Sequence, residues 1–184
     1  MTPLWVLLGL FGLAVVYFWS LYNGFVSLKT QIEEAWSEID VQLKRRADLI
    51  PNLVESVKGY AKHEKSIFLE VTKARSALMG AGSLAKKAEA SDMLTNALGK
   101  LIAVAENYPQ LKANENFVQL QKELSDTEDK IAYSRQYFNT TVLEYNTKIR
   151  LFPNSFVASS LGFNTKDFFG ATDEERKSVK VTFN

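Results

Sequence analysis

Residues 1–28 carry no charged side chain, and the run 4–22, LWVLLGLFGLAVVYFWSLY, is almost wholly apolar. As a helix this run extends roughly 28 Å, close to the thickness of the hydrocarbon core of a bilayer. Beyond it the pattern changes. Phe25, Leu28, Ile32, Ala35, Trp36, Ile39, Leu43 and Ile50 recur at spacings of three and four, which predicts an amphipathic helix. Val54, Val57, Ala61, Phe68, Val71, Ala74 and Leu78 continue an apolar stripe up to GAGS at 80–83. Another predicted helix takes in Met93, Leu94, Ala97, Leu98, Leu101, Ile102 and Ala105 and stops at Tyr108-Pro109.

The most regular pattern follows a predicted cap at Asn114. Phe117, Leu124, Ile131, Phe138, Tyr145 and Phe152 fall at intervals of seven, which predicts a helix of about 50 Å ended by Pro153. Thr127, Ser134 and Thr141 lie between them, small enough for close helix approach and able to bond back to the preceding turn. The tail, beginning SFVASSLGFNTKDFFGA, has no helical stripe long enough to join a bundle. Thr172 to Glu175 fits a capping box, and Val179, Val181 and Phe183 alternate with polar residues as in a short strand or extended arm.

These patterns predict an all-α protein: a single transmembrane helix, then an antiparallel bundle of long helices and a short aromatic-rich tail. The expected divisions are an anchor over 1–24, a bundle over 25–153 and a tail over 154–184. No basic residue precedes the apolar run and no small-x-small site follows it, so an uncleaved anchor is expected rather than a signal peptide. Trp5 at one end and Trp19 and Tyr22 at the other suit the membrane interface. Lys29, Lys44, Arg45 and Arg46 all follow the span, which favours an external N-terminus and a cytoplasmic body.

Pro51 stands where the periodicity reads as helix. Proline in a helix interior costs about 3 kcal/mol, but it is tolerated in a first turn. Either a new helix begins at Asp48, or one helix kinks at Pro51. Both alternatives put Lys44, Arg45 and Arg46 near the carbonyl-rich end of the first segment, where cations are favoured.

Charge and composition narrow the function. A net charge of +1 gives no case for a nucleic-acid partner. The absence of cysteine rules out disulfides, thiolate nucleophiles and cysteine-ligated metals. The single histidine, His63, follows Tyr60 rather than Glu at three residues, so the paired Glu-x-x-His motif of a di-iron bundle is missing. There is also no phosphate-binding glycine loop and no nucleophile elbow. No enzymatic activity and no cofactor are therefore expected.

The segments IDVQLKRRADLIPNLVESVKGYAKHE (39–64), ENYPQLKANENFVQLQKELSDTEDKIAYSRQYFN (106–139) and YNTKIRLFP (145–153), followed by GF and FF, resemble the LemA family of bacterial membrane-anchored proteins. The resemblance covers about residues 22–169, with several long motifs in matching order. One departure is Phe138, where the family usually carries tyrosine. The resemblance implies an N-terminal transmembrane helix in the bacterial inner membrane, with the N-terminus outside and a cytoplasmic helical body. It implies no agreed biochemical activity; magnetosome members of the family imply a link to membrane organisation.

Two functional readings follow. In the first, a non-enzymatic scaffold on the lipid bilayer forms homo-oligomers or holds a protein partner through its helix faces and aromatic tail. In the second, a tethered accessory or receptor domain binds a peptide, lipid or small ligand. Candidate partner-binding residues are Lys44, Arg45, Arg46, His63 and Arg135, with Phe156, Phe163, Phe168 and Phe169 in the tail.

Overall fold

The computed structural model describes residues 2–170, with side chains from residue 4 onward. The predicted cap at Thr172 and the alternation at 179–183 lie outside the described residues. Six helices run in order: α1 (Thr2–Lys58), α2 (Lys65–Gly80), α3 (Leu84–Ala105), α4 (Pro109–Lys112), α5 (Glu115–Arg150) and α6 (Asn154–Ser160). No strand occurs among the described residues.

The packing divides the chain into two units, one of residues 2–37 and 136–168, the other of residues 38–135 and 169–170. In the first, the α1 residues Gly24 and Trp36 meet the α5 residues Lys148 and Phe138, so the two helices run antiparallel. The apolar run of α1 has no cover from the protein, with Leu10 58% and Phe11 70% exposed, whereas Phe25, Leu28, Ile32 and Ala35 are buried. Cover by the protein thus begins at Phe25, and the run before it has the length and composition of a membrane-crossing helix.

In the second unit α1, α2, α3 and α5 alternate in direction. Arg46 of α1 meets Glu128 of α5, Arg75 of α2 reaches Ala47 of α1, and Lys100 of α3 pairs with Glu70 of α2 at 2.5 Å. Asp40 of α1 pairs with Lys87 of α3. The core follows the predicted stripes, with Ile39, Leu43, Ile50, Val57, Val71, Leu94, Leu101, Phe117 and Ile131 all buried, and adds Ala47 and Leu53, which the stripes did not include. Thr127 is wholly buried and donates to the Leu124 carbonyl at 2.8 Å, so a small hydroxyl enters the core without an unpaired group.

Caps account for two of the helix starts. Ser83 Oγ accepts from the Lys86 amide at 3.4 Å, and Asn114 Oδ1 accepts from the Phe117 amide at 3.2 Å, as predicted for Asn114.

Three expectations need correction. First, of the two alternatives at Pro51, the start of a new helix at Asp48 falls, because α1 passes through Pro51 as one helix. The Lys44, Arg45 and Arg46 cluster therefore faces no helix terminus. Proline cannot donate to the carbonyl four residues back, which is that of Ala47. Arg75 Nε donates to that carbonyl at 2.7 Å, and the bond supplies the missing donor. Second, the stripe from Val54 to Leu78 is not one helix: α1 stops at Lys58, where Gly59 has poor helix propensity, and α2 starts at Lys65. Ala61 is still buried, held in the connecting loop by its amide bond to the Val57 carbonyl at 2.8 Å. Third, the heptad series ends at Tyr145. Helix α5 stops at Arg150, and Phe152 is 90% exposed.

Candidate functional site

The most unusual chemistry of the second unit centres on Arg46. The helical period of α1 puts it one turn from both Gln42 and Ile50 on the face that carries Leu43 and Ala47, so the fold that buries those residues buries the guanidinium too. Arg46 is only 4% exposed. Its Nη1 donates to Thr95 Oγ1 at 3.0 Å, and the Thr95 hydroxyl in turn donates to the Ser91 carbonyl at 3.1 Å. Its Nη2 lies 2.6 Å from Glu128 Oε2. That contact is an ion pair without hydrogen-bond alignment, since Glu128 Oε2 has no aligned donor. Arg46 Nε and Gln42 Oε1, one turn apart, also lack partners, while Gln42 Nε2 donates to Glu38 at 2.9 Å. Burial lowers the Arg46 pKa from its ordinary value, and the carboxylates of Glu128 and Asp92 oppose that shift. A guanidinium so far above neutral pH to begin with stays charged.

Asp92 ties Arg46 to a second arginine. Arg135 Nη1 donates to Asp92 Oδ1 at 3.3 Å, and its guanidinium carbon stands 4.9 Å from the centre of the Phe169 ring. Phe169 is 2% exposed. Gly170 follows at φ +75°, and a Cβ there would strike the Arg135 guanidinium, so a glycine is needed for both its backbone angle and its lack of a side chain. The set of Arg46, Asp92, Glu128 and Arg135 balances two positive against two negative charges. It offers helix registration rather than an activated nucleophile or base.

In the first unit, the Tyr145-Asn146 pair of the YNTKIRLFP segment fastens the tail. Tyr145 donates to the Asn164 carbonyl at 3.1 Å. Asn146 Nδ2 donates to the Lys166 carbonyl and its Oδ1 accepts from the Lys166 amide, both at 2.8 Å. One side chain thus satisfies both backbone groups of Lys166, as a neighbouring strand would. Burial raises the Tyr145 pKa above its ordinary value. Phe163 packs against Phe25 at 5.2 Å and Tyr22 at 6.0 Å between ring centres.

The predicted site residues thus separate. Arg46 and Phe169 are inside; Arg135, Phe163 and Phe168 are half-buried; Lys44, Arg45, His63 and Phe156 are exposed. His63 lies in the α1–α2 loop and does not meet the arginine network. Trp5 and Trp19 are 73% and 67% exposed, while Tyr22 serves partly as packing for Phe163. Thr95, Asp92, Gln42 and Arg75 escaped the sequence reading. The only signal for any of them was Pro51, which leaves the Ala47 carbonyl in need of a donor from elsewhere. Among the described residues no cluster of three or more His, Asp or Glu side chains could hold a metal ion.

An apolar helix uncovered by protein, leading into a helical bundle with paired interior charges, defines a membrane-associated helical protein. The chain belongs to the LemA family, whose sequence profile matches residues 35–183. It is 28% identical to the magnetosome protein MamQ of Magnetospirillum gryphiswaldense, an alignment covering 80% of this chain and 64% of that protein. It is 28% identical to the protein LemA of Metamycoplasma hominis, covering 84% of this chain and 71% of that one. The chain therefore spans less than two thirds of the length of its magnetosome relatives.

Proposed function

We propose that this protein is a non-enzymatic scaffold, fixed in the bacterial inner membrane by residues 4–22, whose helical body self-associates or holds a protein partner at the membrane surface. The observation that carries this reading is the continuity of α1, a single helix of 57 residues joining the apolar run to the bundle without a linker. The same helix thus carries both the apolar run and residues of the packed body, as attachment of a scaffold to a membrane requires. Relatives named as magnetosome proteins support a role in membrane organisation. The basic residues Lys29, Lys44, Arg45 and Arg46 after the run favour an external N-terminus and a cytoplasmic body. The ligand-binding reading is weaker, because Arg46 and Arg135 are engaged within the fold and leave Arg45 and His63 as its polar contacts.

Mass photometry of the full-length protein in nanodiscs, with electron-microscope imaging of the same sample, tests this function. A discrete assembly larger than one chain is expected. A strict monomer at all concentrations, with no crosslinked partner in cells, would overturn it.

A further inference from the structure

In the first unit, α6 is docked on the apolar run itself. Asn154, its first residue, accepts a hydrogen bond from the Tyr17 hydroxyl at 3.5 Å, and its Nδ2 donates to the Lys148 carbonyl at 3.1 Å. Tyr17 lies five residues inside the C-terminal end of the run 4–22, about 7.5 Å along the helix axis. The start of α6 therefore stands beside the run, not beyond its end. Val157 and Ala158 are buried, yet Phe152 is 90%, Phe156 76% and Leu161 52% exposed. Large apolar side chains gathered in one short segment are not an ordinary water-facing surface. Helix α5 ends immediately before this segment with Lys148 and Arg150 in its last turn.

The geometry points to a second membrane contact: Phe152, Phe156 and Leu161 insert into the headgroup and acyl boundary of the leaflet that the body faces. Lys148 and Arg150 lie beside anionic lipid headgroups. The level of Tyr17 is the reason for choosing the bilayer as occupant. If residues 4–22 cross the hydrocarbon, a segment bonded to Tyr17 sits at the depth where interfacial helices bury their apolar side chains. The nearby basic residues match an anionic surface. The contact gives the first unit a second attachment point at the membrane. This inference rests on the reading of residues 4–22 as a membrane span.

The absence of cysteine from the chain allows single nitroxide labels without background. Full-length variants Leu10→Cys, Phe156→Cys, Leu161→Cys and Tyr133→Cys would be labelled and reconstituted in phosphatidylethanolamine–phosphatidylglycerol vesicles. Collision rates with oxygen and with a water-soluble nickel complex would then be compared. Labels at 156 and 161 are expected to favour oxygen, as the label at 10 does, whereas the label at 133 favours nickel. Leu161→Cys keeps both phenylalanines, so the result does not depend on removing one. Water-like ratios at both 156 and 161, with an apolar ratio at 10, would overturn the second contact and leave the anchor standing. A water-like ratio at 10 would overturn both. Shielding of 156 and 161 from both reagents, with dipolar broadening between labels, would assign the patch to a second copy and refute the lipid contact.

Discussion

Pro51 persists inside α1 because Arg75 replaces the donor it lacks, and the two residues should therefore be coupled in stability. In the native chain the carbonyl of the buried Ala47 accepts from Arg75 Nε at 2.7 Å, in place of the amide that residue 51 would normally supply. Arg75→Met keeps most of the aliphatic stem and removes the donor. The buried carbonyl is then left unpaired, at about 1–3 kcal/mol. For a chain of this size each kcal/mol moves the melting temperature by about 2–4 °C, so a cost near 2 kcal/mol lowers it by about 4–8 °C. Pro51→Ala restores an amide and removes the ring clash, a gain of up to about 3 kcal/mol from helix preference. In the Pro51→Ala background the same Arg75→Met change should cost little, because Ala47 has its local donor again. Thermal unfolding of the four full-length proteins in one detergent, followed by far-ultraviolet circular dichroism, closes the cycle. A coupling energy of about 1–2 kcal/mol is expected. Equal costs for Arg75→Met in both backgrounds would refute the idea that Arg75 compensates for the proline.

The Arg46–Glu128 pair should respond asymmetrically. Glu128→Ala strands a guanidinium that is 95% buried and should cost about 3 kcal/mol, whereas Arg46→Met frees a carboxylate already 44% exposed and should cost about 1–2 kcal/mol, the order to be checked by denaturant unfolding. Tyr145 has a pKa raised by burial above 10.0, so its contribution is intact below pH 10 and is lost as pH rises through the folded-state value. Tyr145→Phe should therefore flatten the alkaline loss of stability in melts taken on either side of pH 10, and an unchanged slope would contradict the burial argument. Asn146→Ala removes both bonds to the Lys166 backbone, at about 1–2 kcal/mol together. Hydrogen exchange at the Lys166 amide should accelerate about tenfold or more, and unchanged protection would mean that the tail is held by something else.

The sequence by itself determined the features whose causes are local. The apolar run, the helical stripes, the Asn114 cap and the burial of Phe117, Leu124, Ile131, Phe138 and Tyr145 follow from spacings within a turn or two and from the need to cover an apolar face. Its resemblance to the LemA family was also legible, since it rests on motifs that lie in the chain itself. Tertiary structure decided the rest. Whether Pro51 breaks a helix depended on Arg75, which lies 28 residues beyond the Ala47 carbonyl that the proline leaves without its helical donor. Whether Arg46 is a surface cation or an interior one depended on Thr95 and Glu128, on two other helices. The YNTKIRLFP segment announced itself as a motif but not as a clamp, because the backbone of Lys166 became its partner only when the tail folded back. The aromatic tail divided in the same way: Phe169 went beneath Arg135 while Phe156 stayed outside, although both sit in the same phenylalanine-rich segment. Periodicity specifies which face of a helix must be covered. Pairings between distant polar groups depend on how helices are registered against one another, and that registration is a property of the packed molecule.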